Sequence, residues 1–132
     1  MSKRFKGIKT ELQNLEYNFN APSKDGVIDI NYKDSIEILE IREDAVDFLV
    51  IRVLNFKSLE NSSLKVAFKA SIKTSEKLTK EEFKKCFDEE IPMINAVVFN
   101  RISLLIANVT NASSIGPIIT PPTFIPKEIE IK

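Results

Sequence analysis

Alternation of apolar and polar residues in successive segments is the feature that most narrowly limits how this chain can fold. The segment "LKVAFKASIK" alternates without a break, with Lys65, Lys69 and Ser71 on the opposite side from its apolar residues. Its apolar positions are Leu64, Val66, Phe68, Ala70 and Ile72. A period of two residues is typical of a β-strand with one buried face.

Two earlier segments alternate in the same way. In "VIDINYKDSIEILEI" one face carries Ile28, Ile30, Tyr32, Ile36 and Ile38. In the first segment the apolar set is Ile8, Leu12, Leu15, Tyr17 and Phe19. The phase of this first segment slips once near Gln13 and Asn14, which indicates a β-bulge or a bend.

The segment "AVDFLVIRVLNF" is apolar on both faces and is therefore our candidate for a central strand. Short polar stretches separate the segments, so we expect an antiparallel meander of four strands. The predicted strands span about 4–19, 27–41, 45–57 and 64–74.

The period then changes to that of a helix. Thr79 with Glu82 three residues later forms a capping-box signature, which predicts a helix over about 80–87. Acidic residues and Pro92 then predict a second helix over about 91–111. The chain is thus expected to be α+β, with a four-stranded antiparallel sheet covered by a long helix towards its C-terminal end.

A helical projection of the second helix gives two apolar surfaces. The broad arc, which should cover one face of the sheet, contains Ile94, Val98, Phe99, Ile102, Leu105, Ile106 and Val109. A second, narrow stripe is formed by Val97 and Leu104, with Arg101 between them in sequence. Because no further helix is predicted to cover this stripe, we expect Val97, Arg101 and Leu104 to lie at an interface between subunits.

Composition narrows the classes of function. The chain has 132 residues, which suits one domain spanning 1–132, and its formal net charge is zero, so nothing favours nucleic acid as a partner. With no histidine, it can form neither a serine–histidine triad nor a cysteine–histidine pair. We expect no enzymatic activity, no catalytic residue, no metal site and no cofactor.

Three features of the sequence bear on where the protein is located in the cell: its cysteine content, its first residues and its longest apolar stretch. The single cysteine, Cys86, suits a reducing cytoplasm, and the first residues show no signal-peptide pattern. The apolar stretch 91–109 carries Arg101 near its centre, which costs at least about 2.5 kcal/mol in a bilayer. We therefore expect a cytoplasmic protein without a membrane-inserted helix.

The last segment, about 114–132, is rich in proline and in bulky apolar residues. Proline fixes φ and lacks a backbone donor, so this tail should be extended. It either covers an apolar patch of its own domain or forms one wall of a binding groove.

Three stretches resemble the SecB export chaperone family: "LEYNFNAP", "VDFLVIRVLNF" and "IPMINAVVFNRISLLIANVTNASSIGPIITPPTF". The last is similar to a helix that opens at a proline, carries an aromatic-X-Arg element, and runs into a Gly-hydrophobic-Pro tail. The resemblance implies a SecB-like fold and a homotetramer, built as a dimer of dimers. It also implies an ATP-independent holdase for unfolded or nascent polypeptides, with protein export as one role.

The resemblance places client polypeptides in apolar grooves between the sheet, the helix and the loop after the first strand. Carried over by position, the client-binding residues are Phe19 and Pro22 in the loop and Ile118, Ile119, Pro121, Pro122 and Phe124 in the tail.

Departures from the family pattern leave two further interpretations open. Usual members are strongly acidic, which favours docking on the SecA motor, and carry another C-terminal helix; this chain is neutral and stops at Lys132, which argues against SecA as a partner. One alternative is a SecB-like partner of one dedicated client, such as the antitoxin of a toxin–antitoxin system. The other is a ligand carrier or small enzyme with a pocket between sheet and helix, for which the sequence offers no motif.

Overall fold

Four strands and two helices follow one another in the part of the chain that the structure describes. The computed structural model describes residues 5–18, 30–56, 62–111 and 117–123. The strands are β1 (Phe5–Asn18), β2 (Ile30–Ile41), β3 (Ala45–Phe56) and β4 (Ser63–Thr74). The helices are α1 (Lys80–Glu89) and α2 (Ile91–Thr110). The predicted α+β class, an antiparallel sheet followed by a long helix, is confirmed.

The strand order is β1-β4-β3-β2, with every neighbouring pair antiparallel. Strands β2, β3 and β4 form the expected meander, and β3 is an interior strand as predicted. The meander is wrong for β1, which pairs with β4 instead of β2. This order puts the two most buried strands, β3 and β4, in the middle of the sheet, where both faces are covered best.

A β-bulge in β1 explains the slip in its alternation. Leu12 pairs with Phe68 and Asn14 pairs with Ala67, so Gln13 is the extra residue. Because the bulge restores the phase, Leu12 and Leu15 lie on the same face of the sheet. The bulge predicted near Gln13 and Asn14 is therefore confirmed.

The core lies on one face of the sheet, which we call the inner face. Its β3 and β4 side chains are almost fully buried: Val46, Phe48, Val50, Leu54, Leu64, Val66, Phe68, Ala70 and Ile72. Helix α1 closes one end of this face with Phe83, Cys86 and Phe87. The Phe83 ring packs 5.4 Å from that of Phe48 and 5.9 Å from that of Phe5, measured between centroids.

Helix α2 covers the inner face alongside α1. Its most buried side chains, all no more than 1% exposed, are Ile94, Val98, Phe99, Ile102 and Ile106. By length and composition this helix could also cross a membrane. Its apolar arc is instead packed on the sheet, as expected for the core helix of a globular domain.

A π-helical segment, Asn95–Phe99, interrupts the α geometry of α2. The Asn100 amide accordingly bonds back to the carbonyl of Asn95, five residues earlier. The wider turn buries both Val98 and Phe99, which are neighbours in sequence.

The opposite, outer face of the sheet has an apolar stripe on β3 formed by Leu49, Ile51 and Val53, all half-buried. Leu49 lies opposite Lys69, and Val53 lies opposite Lys65. Both lysines are themselves half-buried, so their aliphatic stems flank the stripe and reduce its contact with water.

Candidate functional site

Residues 117–123, which we call the strap, lie against the inner face and bend at Pro122 and Thr123. Alternate side chains point in opposite directions: Ile118 is 7% exposed and Thr120 is 1% exposed, whereas Ile119 is 72% exposed. Pro121 and Pro122 are exposed as well. The strap thus has an inward side that joins the core and an outward side that faces solvent.

The buried ion pair between Arg52 and Asp34 lies on the inner face next to the strap. The two residues are directly opposite each other on β3 and β2, and neither is accessible to solvent. Arg52 Nε donates to Asp34 Oδ1 over 2.7 Å, and Arg52 Nη2 donates to Asp34 Oδ2 over 2.8 Å. This bidentate geometry is the strongest form of an arginine–carboxylate contact and fixes the guanidinium plane.

The remaining donors of Arg52 hold the strap. Nη1 donates to Thr120 Oγ1 over 3.1 Å and to the carbonyl oxygen of Pro121. Nη2 donates to the carbonyl oxygen of Thr123 over 2.8 Å. A guanidinium has five N–H groups, and these contacts use all of them.

The ring of Phe99 completes the surroundings of Arg52. The guanidinium carbon lies 5.4 Å from the ring centroid, within range of a cation–π interaction. Because Phe99 belongs to the π-helical segment of α2, the sheet, the helix and the strap all meet at Arg52.

Helix α2 holds the other side of the strap through two hydroxyl groups. Ser103 Oγ donates to the carbonyl oxygen of Thr120 over 2.7 Å. Thr110 Oγ1 accepts a hydrogen bond from the Ile118 amide over 2.7 Å while donating to the Ile106 carbonyl. Within the described ranges, the strap backbone is therefore bound by side chains.

Our sequence reasoning missed Arg52 and Asp34, although a signal was present. Each falls at the single inward position that interrupts the apolar alternation of its strand: Arg52 between Val50 and Leu54, and Asp34 between Tyr32 and Ile36. Opposite charges at the two interrupted positions of neighbouring strands predict a buried pair.

The predicted client-binding residues occupy different environments. Ile118 lies on the inward side of the strap and joins the core, while Ile119, Pro121 and Pro122 are on the surface. Phe19, Pro22 and Phe124 lie outside the described residues.

The predicted subunit-interface residues, Val97, Arg101 and Leu104, follow one another along the outward side of α2, which we call the outward ridge. Leu104 is 57% exposed and Val97 is half-buried. Arg101 is exposed and donates from Nη1 to Thr10 Oγ1 on β1 over 2.9 Å, so it joins helix and sheet within the same chain.

The exposed apolar residues Leu104 and Ile119 are close to the same helix–strap contact. Each is adjacent in sequence to one partner of the hydrogen bond between Ser103 and Thr120. The outward side of the strap thus borders the outward ridge of α2.

Two further features bear on a small-molecule site. An open depression of about 360 Å³ on the outer face is lined by charged and polar residues, namely Lys9, Thr10, Glu11, Arg42, Asp47, Lys69 and Ser71. In the described ranges, no three His, Cys, Asp or Glu side chains are grouped so that they could hold a metal ion.

Comparison with solved structures identifies the architecture. A SecB-like chaperone from Mycobacterium tuberculosis, solved in complex with a peptide from the HigA1 antitoxin, superposes with a TM-score of 0.57 at 12% sequence identity. The match covers 92% of this chain and 87% of that one. The fold is SecB-like.

The other comparisons with known proteins do not extend this assignment of the fold. A protein of unknown function from Streptococcus agalactiae matches with a TM-score of 0.40 and 11% identity, over 87% of this chain and 96% of that one. The sequence matches no family model, and no curated protein matches it significantly. The SecB-like fold that the sequence resemblance predicted is confirmed by the structural match alone.

Proposed function

We propose that this protein is a non-catalytic, ATP-independent chaperone that binds extended segments of unfolded or nascent polypeptides in the cytoplasm. The observation that carries the proposal is the outward side of the strap. Arg52, Ser103 and Thr110 hold the strap from below, so Ile119 is fixed on the surface although it is 72% exposed.

An exposed isoleucine on a fixed, proline-rich segment favours binding of apolar chains. Burying apolar area contributes roughly 25 cal/mol per Å², and a strap that is already ordered loses little entropy on binding. Extended client segments are rich in such area, and several weak sites on one assembly act together through avidity.

The outward ridge of α2 supports assembly into a homo-oligomer. Val97 and Leu104 form an apolar stripe at one side of the strap. Pairing this stripe with a second copy would turn the border between strap and helix into a groove. The family resemblance favours a tetramer built as a dimer of dimers.

Aggregation of a chemically denatured client tests the chaperone activity. Equimolar protein is expected to slow the increase in light scattering, and Ile119→Ser is expected to weaken this effect severalfold. Leu39→Ser is the matched control, because Leu39 is 47% exposed on β2 and distant in sequence from the strap. A wild-type protein that leaves aggregation unchanged, or an equal loss in both variants, would contradict the proposal.

A second candidate function is service to one dedicated client. It is favoured by the structural neighbour that was solved with an antitoxin peptide, and by the neutral charge of this chain. Purification from native extract separates the two functions: one stoichiometric partner supports the dedicated role, and a broad set of clients supports the general one.

A further inference from the structure

The strap is bound in the way in which a protein binds a foreign extended peptide. Its backbone groups are satisfied by side chains of the sheet and the helix, at Ile118 N, Thr120 O, Pro121 O and Thr123 O. Recognition of main-chain groups with pockets for alternate side chains is a general mode of peptide recognition.

The groove beneath the strap takes two inward side chains of different chemistry. Ile118 enters an apolar part of the core, and Thr120 enters a polar part where its hydroxyl meets Arg52. The one position between them, Ile119, points outwards and is unconstrained by the groove. The groove therefore selects an aliphatic residue followed two positions later by a residue with a hydroxyl group.

The groove residues are held independently of the strap. Asp34 fixes Arg52 through two hydrogen bonds, and the rest of α2 packs on the sheet through its own apolar arc. Thr110 is anchored to the Ile106 carbonyl of its own helix. The site is therefore preorganised for whichever segment occupies it.

We propose that the strap is the resident occupant of a peptide-binding groove, and that an extended segment of another polypeptide with the same aliphatic-X-Thr or aliphatic-X-Ser pattern replaces it. This inference rests on the proposed binding of polypeptides and names a second client site, on the inward side of the strap. Because the strap is tethered, it competes at an effective concentration in the millimolar range. Only segments that bind well enough to displace it gain access.

Native-state hydrogen exchange on the full-length protein tests whether the strap leaves the groove. The Ile118 amide is expected to exchange at least about tenfold faster than the amides of β3, through an opening that leaves the sheet intact. Equal exchange of both, with the same dependence on denaturant, would show that the strap opens only when the whole domain unfolds, and would overturn the proposal.

Binding in trans tests the groove itself. The probe is a fluorescently labelled peptide with the sequence of residues 115–124, IGPIITPPTF, and the measurement is fluorescence anisotropy. Ile118→Ser weakens only the resident strap, so this full-length variant is expected to bind the peptide at least about tenfold more tightly than wild type. Leu39→Ser, which changes an exposed apolar residue of β2 that is distant in sequence from the strap, is expected to bind it as wild type does.

A second substitution checks which residues bind the probe. Adding Ser103→Ala to Ile118→Ser removes the donor to the Thr120 carbonyl and is expected to weaken peptide binding severalfold. A folded Ile118→Ser variant with no gain in peptide binding overturns the proposal. Loss of its circular dichroism signal does so too, since the strap would then be an indispensable part of the core.

These outcomes are independent of the aggregation assay. Slowed aggregation without peptide binding by Ile118→Ser leaves the proposed chaperone function standing and rejects the groove. Peptide binding by Ile118→Ser without slowed aggregation supports the groove and rejects the proposed chaperone function.

Discussion

At the scale of single residues, the buried pair of Arg52 and Asp34 is the contact of the inner face that should be most sensitive to the loss of one partner. Two charges removed from water are tolerated because every donor of Arg52 has an acceptor. Removing the charge from one partner leaves the other charge buried without compensation.

We expect Asp34→Asn to lower the free energy of unfolding by about 3 to 5 kcal/mol, because it leaves the Arg52 charge uncompensated. Urea denaturation followed by circular dichroism measures the change. The matched control is Asp47→Asn, which alters the 2.8 Å pair with Arg42, whose side chain is 47% exposed. The control should cost no more than about 1 kcal/mol, and similar losses in both variants would contradict the role of the buried pair.

Two neighbouring residues of the strap show where sequence reasoning succeeds and where it stops. Ile118 and Ile119 are identical neighbours in the sequence, and a resemblance to other grooves assigns them the same role. The structure separates them, because only Ile118 is opposite the inner face. Which of two adjacent apolar residues points inwards depends on the hydrogen bonds of the strap, and these come from residues far away in the chain.

At the scale of elements, local signals predicted most of the architecture. Both hydrogen bonds of the capping box are present. Thr79 Oγ1 accepts from the Glu82 amide, and the Glu82 side chain accepts from the Thr79 amide. Both are interactions between residues three apart, which explains why the sequence alone could predict them.

Thr79→Ala is expected to destabilise the protein by about 1 kcal/mol, because the Glu82 amide at the start of α1 loses its acceptor, Thr79 Oγ1. The midpoint of urea denaturation measures this effect. Ser75→Ala, an exposed substitution shortly before the helix, should leave the midpoint unchanged. A midpoint for Thr79→Ala that equals the wild-type value would show that packing of Phe83 and Phe87 alone defines this helix end.

The π-helical segment and the position of β1 were not predictable in this way. A projection at 100° per residue assumes α geometry throughout, so the extra residue of Asn95–Phe99 leaves no mark in the apolar pattern. The pairing of β1 with β4 depends on which strands compete best for the centre of the sheet, a comparison between segments rather than a property of any one of them.

At the scale of the whole molecule, the outward ridge of α2 is the surface on which the proposed assembly would depend. Leu104 belongs to this ridge and is 57% exposed in the single chain. Exposed apolar surface on a helix is typical of a site of contact with another protein chain.

We expect Leu104→Glu to reduce the mass measured by multi-angle light scattering, because a buried, uncompensated carboxylate opposes the contact between copies. Leu39→Glu changes a residue of comparable exposure on β2 and should leave the mass unchanged. A wild-type protein that is monomeric at micromolar concentration would exclude the proposed interface altogether.

The strand order also has a consequence for the chain during its synthesis. Leu12 leaves the ribosome long before its partner Phe68 does, so β1 must wait while β2, β3 and β4 pair with their neighbours in turn. Arg52 also lacks its strap partners at this stage, because they lie 68 to 71 residues further along the chain. Until then Arg52 relies on Asp34 alone, and a nascent copy of this protein exposes the kind of unpaired, apolar strand that it is proposed to bind in others.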